Sequence, residues 1–231
     1  MRSLIGYLIP LRSQRVVSNI NKDVLLTSED IWCQLLDTEL PTNPTEVSMS
    51  IAESCGLDLA YKELSEPLKA AGVLVPIIER EGNLYLLLTH RSTKLKHHAG
   101  QISFPGGQME QGDRDIEKTA LRETEEEVGI ASHFVSVMGY LNTIPTMTGY
   151  AVTPIVGLVA PGVEPNINDS EVEYAFEVPL SFLMDGTNNV RGDWTIYGRK
   201  VSMIEFHWES ERIWGATAFI IISLIKLLTK Q

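Results

Sequence analysis

Residues 87–130 read LLTHRSTKLKHHAGQISFPGGQMEQGDRDIEKTALRETEEEVGI and place a basic strand and loop before a Gly-Gly turn and an acidic helical segment. Near the end of this stretch, Glu123, Glu126 and Glu127 stand at positions i, i+3 and i+4. At about 100° per residue, their three carboxylates fall within about 100° of one another on a helix. Because carboxylates so close together repel one another, the pattern predicts a cation-binding site.

The helix that carries these acids has predictable ends. Asp113 or Asp115 can serve as the N-cap, and Gly129 is suited to stop the helix after Val128. The expected core-facing stripe consists of small or apolar residues: Ala120, Leu121, Thr124 and Val128. A solvated acidic face is the alternative to a metal site. The helix dipole disfavours negative charge in the last turns of a helix, so stability alone would not place three acids there. This placement favours the metal site over the solvated face.

Outward from this helix, the chain alternates between β-rich segments and turn residues. Residues 72–80 and 84–91 predict two strands joined by a tight turn at residues 81–83. The other predicted strands are residues 101–104, 135–143, 151–160, 173–178, 194–197 and 201–208. A buried closing helix is predicted for residues 213–228, which are too few and too interrupted to span a bilayer. Together these elements predict an α/β (α+β) fold with a mixed β-sheet between α-helices.

The first 66 residues are predicted to form an N-terminal extension ahead of one domain at residues 67–231. Within the extension, Ser28 is a candidate N-cap for a short helix over residues 28–38, and residues 41–50, PTNPTEVSMS, predict a linker. Three Arg and one Lys precede the first acidic residue, Asp23. Organelle targeting by this segment is therefore left open.

Composition and charge narrow the class of function. A hydrophobic content of 44% is ample for the core of a soluble enzyme. A formal charge of -11 disfavours binding to nucleic acid or to an anionic membrane, so the expected partner is a small molecule bound at a local site. Cys33 and Cys55 match no metal-ligand spacing and favour a reducing, cytoplasmic location. A homodimer is left open.

The stretch from residue 107 to residue 130 resembles the signature of the Nudix hydrolases, G-x5-E-x7-R-E-U-x-E-E-x-G-U, where U is bulky and apolar. Residues 122–130, RETEEEVGI, match its second half. In the first half, Asp113 replaces the glutamate, and eight residues instead of seven separate it from Arg122. Thr124 stands at a position that is usually bulky and apolar. The resemblance implies a Nudix fold with a loop-helix-loop catalytic motif at about residues 107–130.

The upstream stretch is similar to the extra signature of the coenzyme A diphosphatase branch of that family, which tolerates an Asp and a longer spacer. The matching pieces are Leu87-Leu88-Thr89, Arg91-Ser92, Lys96, Gly100 and Phe104-Pro105-Gly106-Gly107, with residues 149–157 and 214–217 downstream. The resemblance covers roughly residues 70 to 230. It implies metal-dependent hydrolysis of coenzyme A, or its acyl derivatives, to 4′-phosphopantetheine and adenosine 3′,5′-bisphosphate. The alternatives are hydrolysis of another nucleoside diphosphate derivative, such as a dinucleotide or nucleotide sugar, and a catalytically silent nucleotide-binding module.

The resemblance also implies roles for the acidic helix. Mg²⁺ or Mn²⁺ would be held by oxygen ligands, which suit these ions: Glu123, Glu126, Glu127 and the carbonyl of Gly106. Arg122 would orient one of the acids, the alternative being a surface ion pair with Glu126 worth about 0.5 kcal/mol. The general base that deprotonates water is left open among Glu123, Glu126, Glu171 and Glu173.

Substrate binding is expected of Arg91, Lys96 and Gly107. Arg91 and Lys96 form a dense basic cluster with His97 and His98, which fits a ligand that carries a diphosphate and a 3′-phosphate. Arg91 is the strongest candidate because a guanidinium binds phosphate through two parallel hydrogen bonds. The two histidines are more often loop residues than ligands.

Overall fold

The computed structural model of the protein describes residues 26–54, 67–95, 98–196 and 199–229. The helices in these ranges are α1 (Ser28–Leu35), α2 (Pro44–Ser54), α3 (Ile116–Val128), α4 (Leu180–Met184) and α5 (Gly215–Leu228), and a 3-10 turn covers Ser132–Phe134. The strands are β1 (Lys69–Arg80), β2 (Asn83–Arg91), β3 (Ile102–Ser103), β4 (Gly106–Gln108), β5 (Val135–Tyr140), β6 (Ile144–Pro145), β7 (Tyr150–Val159), β8 (Val172–Pro179), β9 (Asn189–Ile196), β10 (Arg199–Trp208) and β11 (Glu211–Ile213).

A mixed sheet of eight strands is built around β1. β1 pairs in parallel with β7 and antiparallel with β2, and the order along the sheet is β3-β2-β1-β7-β5. β8 also pairs with β2, β4 with β1, and β6 with β7. Parallel strands cannot be joined by a tight turn, so the connection from β1 to β7 is long, and it includes α3.

The β1–β2 hairpin has the tight turn that the sequence predicts. Arg80 pairs with Asn83, and the two residues between them, Glu81 and Gly82, have φ angles of 51° and 75°. Two consecutive left-handed residues match the twist of the flanking strands. This turn places β2, and therefore its end at Arg91, beside the centre of the sheet.

Helices cover both faces of the sheet. On one face, Leu74 of β1 packs with Ala120 and Leu121 of α3. On the other, Val75 and Ile77 belong to a larger core cluster that includes α1 and α5 residues. The α1 and α5 members include Ile31, Leu35, Ile221 and Leu224, all at most 1% exposed. The predicted arrangement of a mixed sheet between helices is confirmed.

Gly72 allows α3 to lie close to β1. A Cβ atom at this position would stand 2.5 Å from the carbonyl oxygen of Ile116 and 3.2 Å from the backbone nitrogen of Ala120. Any larger side chain would therefore push the first turn of α3 away from the sheet. The close contact fixes the position of the helix that carries the acids.

A second sheet, with the order β11-β10-β9, packs beside α5. Phe206 of β10 and Ile213 of β11 are fully buried in the same core cluster as Ile221, so α5 is the buried closing helix that the sequence predicts. Within the described ranges, the structure contains no helix with the length and apolar character to cross a bilayer.

The region before β1 departs from two predictions. The N-cap of α1 is Thr27 rather than Ser28, because the Thr27 hydroxyl accepts from the Asp30 backbone and the Asp30 carboxylate accepts from the Thr27 backbone. The predicted linker at residues 41–50 is wrong, since α2 begins at Pro44. Asn43 caps α2 by accepting a hydrogen bond from the Glu46 backbone at 3.2 Å. Cys33 on α1 is an exposed free thiol, whereas Cys55 lies outside the described residues.

Candidate active site

The site begins at the Gly106–Gly107 turn at the start of β4. A Cβ atom on Gly106, whose φ is 152°, would collide with the carbonyl oxygen of Gly72. A Cβ atom on Gly107 would collide with the carboxylate of Glu123. Position 106 therefore requires glycine, whereas a side chain at Gly107 would displace the Glu123 carboxylate from its position against the turn.

The ends of α3 confirm the sequence prediction. Asp115 is the N-cap and accepts a hydrogen bond from the Lys118 backbone at 2.9 Å. Gly129 follows Val128 with φ 68° and donates its N–H to the Glu125 carbonyl. Thr124 fits its buried position because its hydroxyl donates to the Ala120 carbonyl at 2.7 Å. A threonine is therefore accommodated where the family signature has a bulky apolar residue.

Glu127 is the most buried acid of the site, with 1% of its surface exposed. One carboxylate oxygen accepts from the Gly106 backbone at 3.1 Å, and the other accepts from Nη1 of Arg91 at 3.0 Å. Burial raises the pKa of Glu127 to about 7, although the positive charge of Arg91 opposes the shift. A charged Glu127 therefore depends on nearby positive charge.

Arg122 is held by Asp113 through two hydrogen bonds. Its Nε and Nη2 each donate to one oxygen of Asp113 at 3.0 Å. Thr119 donates a further hydrogen bond to Asp113. The hydrogen bonds from Arg122 dominate and lower the pKa of Asp113 to about 2. Asp113, which the sequence offered only as an alternative N-cap to Asp115, is therefore the partner that fixes Arg122.

The free end of the Arg122 guanidinium lies between two glutamates of α3. Its Nη1 is 2.8 Å from an oxygen of Glu123 and 2.9 Å from an oxygen of Glu126. The Glu123 side chain is 15% exposed, whereas that of Glu126 is 52% exposed. Burial raises the pKa of Glu123, and Arg122 opposes the shift. The predicted orienting role of Arg122 is consistent with this geometry, in which it contacts two predicted metal ligands at once.

The donor set suits a hard divalent cation. Glu123 and Glu127 flank the Gly106–Gly107 turn, and burial makes it costly for either to carry a charge without a cation. In the part of the chain that the structure describes, no three His, Cys, Asp or Glu side chains are already arranged as a metal site. The guanidinium groups of Arg91 and Arg122 supply the positive charge beside these acids.

The structure distinguishes the two remote candidates for the general base. Glu171 lies just before β8, and its negative charge is the smallest of the causes that shift the pKa of Glu123, after burial and the charges of Arg122 and Glu126. Ser92, at the end of β2, donates its backbone N–H to the Glu171 carbonyl at 2.8 Å. Glu173 is an exposed residue of β8. Glu171 is therefore the remote acid whose backbone is attached to the end of β2, next to the Arg91 that contacts Glu127.

The predicted substrate-binding residues have different outcomes. Arg91 is beside the site, but its guanidinium contacts Glu127, and its buried Nε has no hydrogen-bond partner among the residues that the structure describes. Gly107 provides space for Glu123. Lys96 and His97 lie outside the described residues. His98 is an exposed loop residue. Its ring Nδ1 shares a hydrogen bond with Oε1 of Gln101 at 2.8 Å.

Comparison with protein-family models matches residues 68–191 to the NUDIX domain family. The chain is 43% identical over 163 residues to "Uncharacterized Nudix hydrolase NudL" of Photorhabdus laumondii, covering 71% of this chain and 87% of that protein. A protein of the same description from Shigella flexneri is 41% identical over 163 residues, covering 69% of this chain and 83% of that protein.

Solved structures with a similar fold include a Caenorhabditis elegans Ap4A hydrolase binary complex, with a TM-score of 0.42 and 19% identity over 49% of this chain and 81% of that chain. The Nudix domain of Shewanella oneidensis NrtR, solved with ADP ribose, has a TM-score of 0.40 and 18% identity over 50% of this chain and 75% of that chain.

Proposed function

The chain belongs to the Nudix family, and on that premise we propose that it is a metal-dependent diphosphatase whose substrate is coenzyme A. Nudix hydrolases act on nucleoside diphosphate derivatives and generally use divalent metal ions. Coenzyme A is such a derivative, with a 3′-phosphate in addition to its diphosphate. Its hydrolysis, or that of its acyl derivatives, would give adenosine 3′,5′-bisphosphate and 4′-phosphopantetheine or its acyl form.

One observation carries the choice of substrate. The stretch that resembles the coenzyme A diphosphatase signature contacts the acids of the site at two points. Arg91 donates to Glu127 at 3.0 Å, and Ser92 donates its N–H to the carbonyl of Glu171 at 2.8 Å. The loop that follows Ser92 therefore starts at the edge of the site. Side chains of this loop can contact a substrate bound at the site. This position supports the interpretation that the signature stretch selects the substrate.

The acids of α3 would bind the cation, and a network of ion pairs orients them. Glu123 and Glu127, with Glu126 and the carbonyl of Gly106, would hold Mg²⁺ or Mn²⁺. A bound divalent cation neutralises charge on the diphosphate and favours deprotonation of water. Asp113 fixes Arg122, and Arg122 keeps the Glu123 and Glu126 side chains in one orientation. The cation site is therefore held by a network of ion pairs as well as by packing.

The proposed reaction is attack of water on one phosphorus of the diphosphate. The water oxygen forms a bond to that phosphorus, and its proton passes to a carboxylate that acts as general base. The bond from the same phosphorus to the bridging oxygen breaks, and the bridging oxygen leaves with the other phosphate. We assign the base to Glu171, because its backbone is hydrogen-bonded to Ser92, next to the Arg91 that contacts Glu127, and its carboxylate makes no hydrogen bond to Arg122 or Arg91 among those described.

Local positive charge supports binding of a highly anionic substrate to an acidic protein. The chain has a formal charge of -11, so its general surface repels phosphate. Arg91, exposed Lys94 and exposed His98 lie on or beside the loop after β2, which also contains Lys96 and His97 in sequence. These groups are suited to the diphosphate and the 3′-phosphate.

The test is a panel of substrates with purified protein and Mg²⁺ or Mn²⁺: coenzyme A, acyl derivatives, NADH, ADP-ribose and nucleotide sugars. We expect coenzyme A species to be cleaved fastest and mass spectrometry to identify adenosine 3′,5′-bisphosphate. Preferential cleavage of a dinucleotide or sugar would contradict the substrate proposal. Metal-independent binding without turnover would indicate a silent module.

A further inference from the structure

Asn168, in the loop between β7 and β8, connects the end of α3 to Glu171. Its backbone N–H donates to the Glu127 carbonyl at 2.9 Å, and the neighbouring Asn166 N–H donates to the Val128 carbonyl at 2.8 Å. These bonds satisfy carbonyls that a helix end leaves without partners. The loop is therefore attached to the last turn of the helix that carries the acids.

The side chain of Asn168 extends this connection to the Glu171 carboxylate. Its Oδ1 accepts hydrogen bonds from the backbone N–H of Ser170 at 3.1 Å and from the Ser170 hydroxyl at 2.7 Å. A backbone N–H can donate only to the oxygen, so the amide orientation is determined and Nδ2 points the other way. Nδ2 donates to Oε1 of Glu171 at 3.2 Å.

The backbone of Glu171 is held as well. Its N–H donates to the Asn168 carbonyl at 2.9 Å, and its own carbonyl accepts from Ser92 at 2.8 Å. The loop is thus fixed to α3 on one side and to the end of β2 on the other. With its backbone fixed, the Glu171 carboxylate still has three rotatable bonds, and the Asn168 amide restrains them.

We propose that Asn168 is a positioning residue, which holds the carboxylate of Glu171 in one orientation at the edge of the site, beside the end of β2, so that Glu171 can take the proton of the attacking water. This inference rests on the proposed diphosphatase function. A hydrogen bond from the neutral amide keeps Glu171 in place without neutralising it, whereas a lysine or arginine would make it a weaker base.

Two substitutions at Asn168 distinguish a role in positioning Glu171 from a role in folding the loop. Asn168→Asp keeps the Oδ1 acceptor for Ser170 but replaces the donor to Glu171 with a repelling carboxylate. Asn168→Ala removes both. Neither changes the backbone bonds to α3. Asn166→Ala is the matched control, because Asn166 lies in the same loop, has an exposed side chain and contacts α3 through its backbone.

We expect Asn168→Ala to lower kcat about 10-fold and Asn168→Asp at least as much, with KM for the diphosphate substrate changed less than about 3-fold. Mn²⁺ affinity, measured by titration calorimetry without substrate, should stay within about 3-fold of the wild type in both variants.

A double-mutant cycle identifies the residue through which Asn168 acts. Glu171→Gln should lower kcat by about 100-fold or more, as expected for loss of a general base. If Asn168 acts through Glu171, then adding Asn168→Ala to Glu171→Gln should lower kcat less than about 2-fold further. A full additional 10-fold loss would overturn the inference.

Other outcomes also test the positioning role of Asn168 and the proposed function. An active Asn168→Asp variant that equals Asn166→Ala in kcat would overturn the positioning role while leaving the diphosphatase proposal intact. If Asn168→Ala lowered Mn²⁺ affinity and kcat by the same factor, then Asn168 would act by holding the end of α3, and the positioning role would be overturned. A wild-type protein that binds Mn²⁺ but cleaves no diphosphate would reject the proposed function, and this inference with it.

Discussion

At the scale of single residues, the buried Glu127 makes stability depend on pH in a defined direction. Burial raises its folded-state pKa to about 7, above the ordinary value of 4.5. The folded state therefore binds the proton more tightly than the unfolded state, and stability falls as pH rises between those two values. We expect the free energy of unfolding of metal-free protein to decrease from pH 4.5 to pH 7, as measured by urea titration in EDTA.

The matched variants for this prediction are on the same helix. Glu127→Gln should remove most of the decrease, while Glu125→Gln, at an exposed position, should retain it. Mg²⁺ added to the wild type should stabilise it more at pH 7.5 than at pH 5, because the cation binds the charged carboxylate. An identical pH dependence in wild type and Glu127→Gln would contradict the burial argument.

Asp113 gives a second residue-level prediction, with the opposite sign. Its folded-state pKa is lowered to about 2 from 3.8 by its hydrogen bonds to Arg122, so its stabilising contribution is present above pH 3.8 and is lost as pH falls towards 2. Asp113→Asn should therefore lower the free energy of unfolding by about 1 to 2 kcal/mol at pH 7. The difference from wild type should narrow below pH 4 in urea titrations, and a constant difference would argue against the ion pair.

These two residues also show how far the sequence alone could identify the site. The spacing of Glu123, Glu126 and Glu127 predicts one helix that carries all three, and α3 is that helix. Asp113 pairs with Arg122 across nine positions, and the longer spacer obscured that partnership. The contact of Arg91 with Glu127 spans 36 positions. Only the folded chain brings such residues into contact.

At the scale of secondary structure elements, the distance between β1 and α3 determines the geometry of the site. Gly72→Ala should lower the free energy of unfolding by about 1 to 3 kcal/mol, because its Cβ would stand 2.5 Å from the Ile116 carbonyl. It should also weaken Mn²⁺ binding, since α3 must move. Thermal unfolding and calorimetry measure the two effects.

The control for this element-level prediction is Gly112→Ala. A Cβ atom at Gly112 would meet nothing within 4 Å, so the variant should match wild type in both stability and Mn²⁺ affinity. If Gly72→Ala also matched wild type, then the close approach of strand and helix would not position the acids.

Element boundaries were predictable where local signals agree with packing. Asp115 and Gly129 mark the ends of α3, and runs of mostly consecutive apolar residues mark β1 and β2. α2 was not predicted, because residues 41–50 were interpreted as a linker. Asn43 and Pro44 are instead favourable residues for a helix start. The strand order could not be derived, because it depends on pairings between distant segments.

At the scale of the whole molecule, α1 shares the main core with the sheet. Ile31 is fully buried in the cluster that includes α5. Ile31→Ala should therefore lower the free energy of unfolding by about 2 to 4 kcal/mol and shift a single cooperative transition. The exposed Glu29→Ala is the control. An early separate transition for α1 would show that the proposed boundary at residue 66 divides two independent units.

The residues of the candidate site lie on four segments: the end of β2, the Gly106–Gly107 turn, α3 and the loop before β8. Membership of the Nudix family is shown, whereas specificity for coenzyme A is proposed. The most direct measurement compares kcat/KM for coenzyme A, dephospho-coenzyme A and ADP-ribose with Mg²⁺ present. Recognition of the 3′-phosphate by basic side chains predicts that coenzyme A exceeds both by about 10-fold or more. An equal or higher value for ADP-ribose would contradict the account.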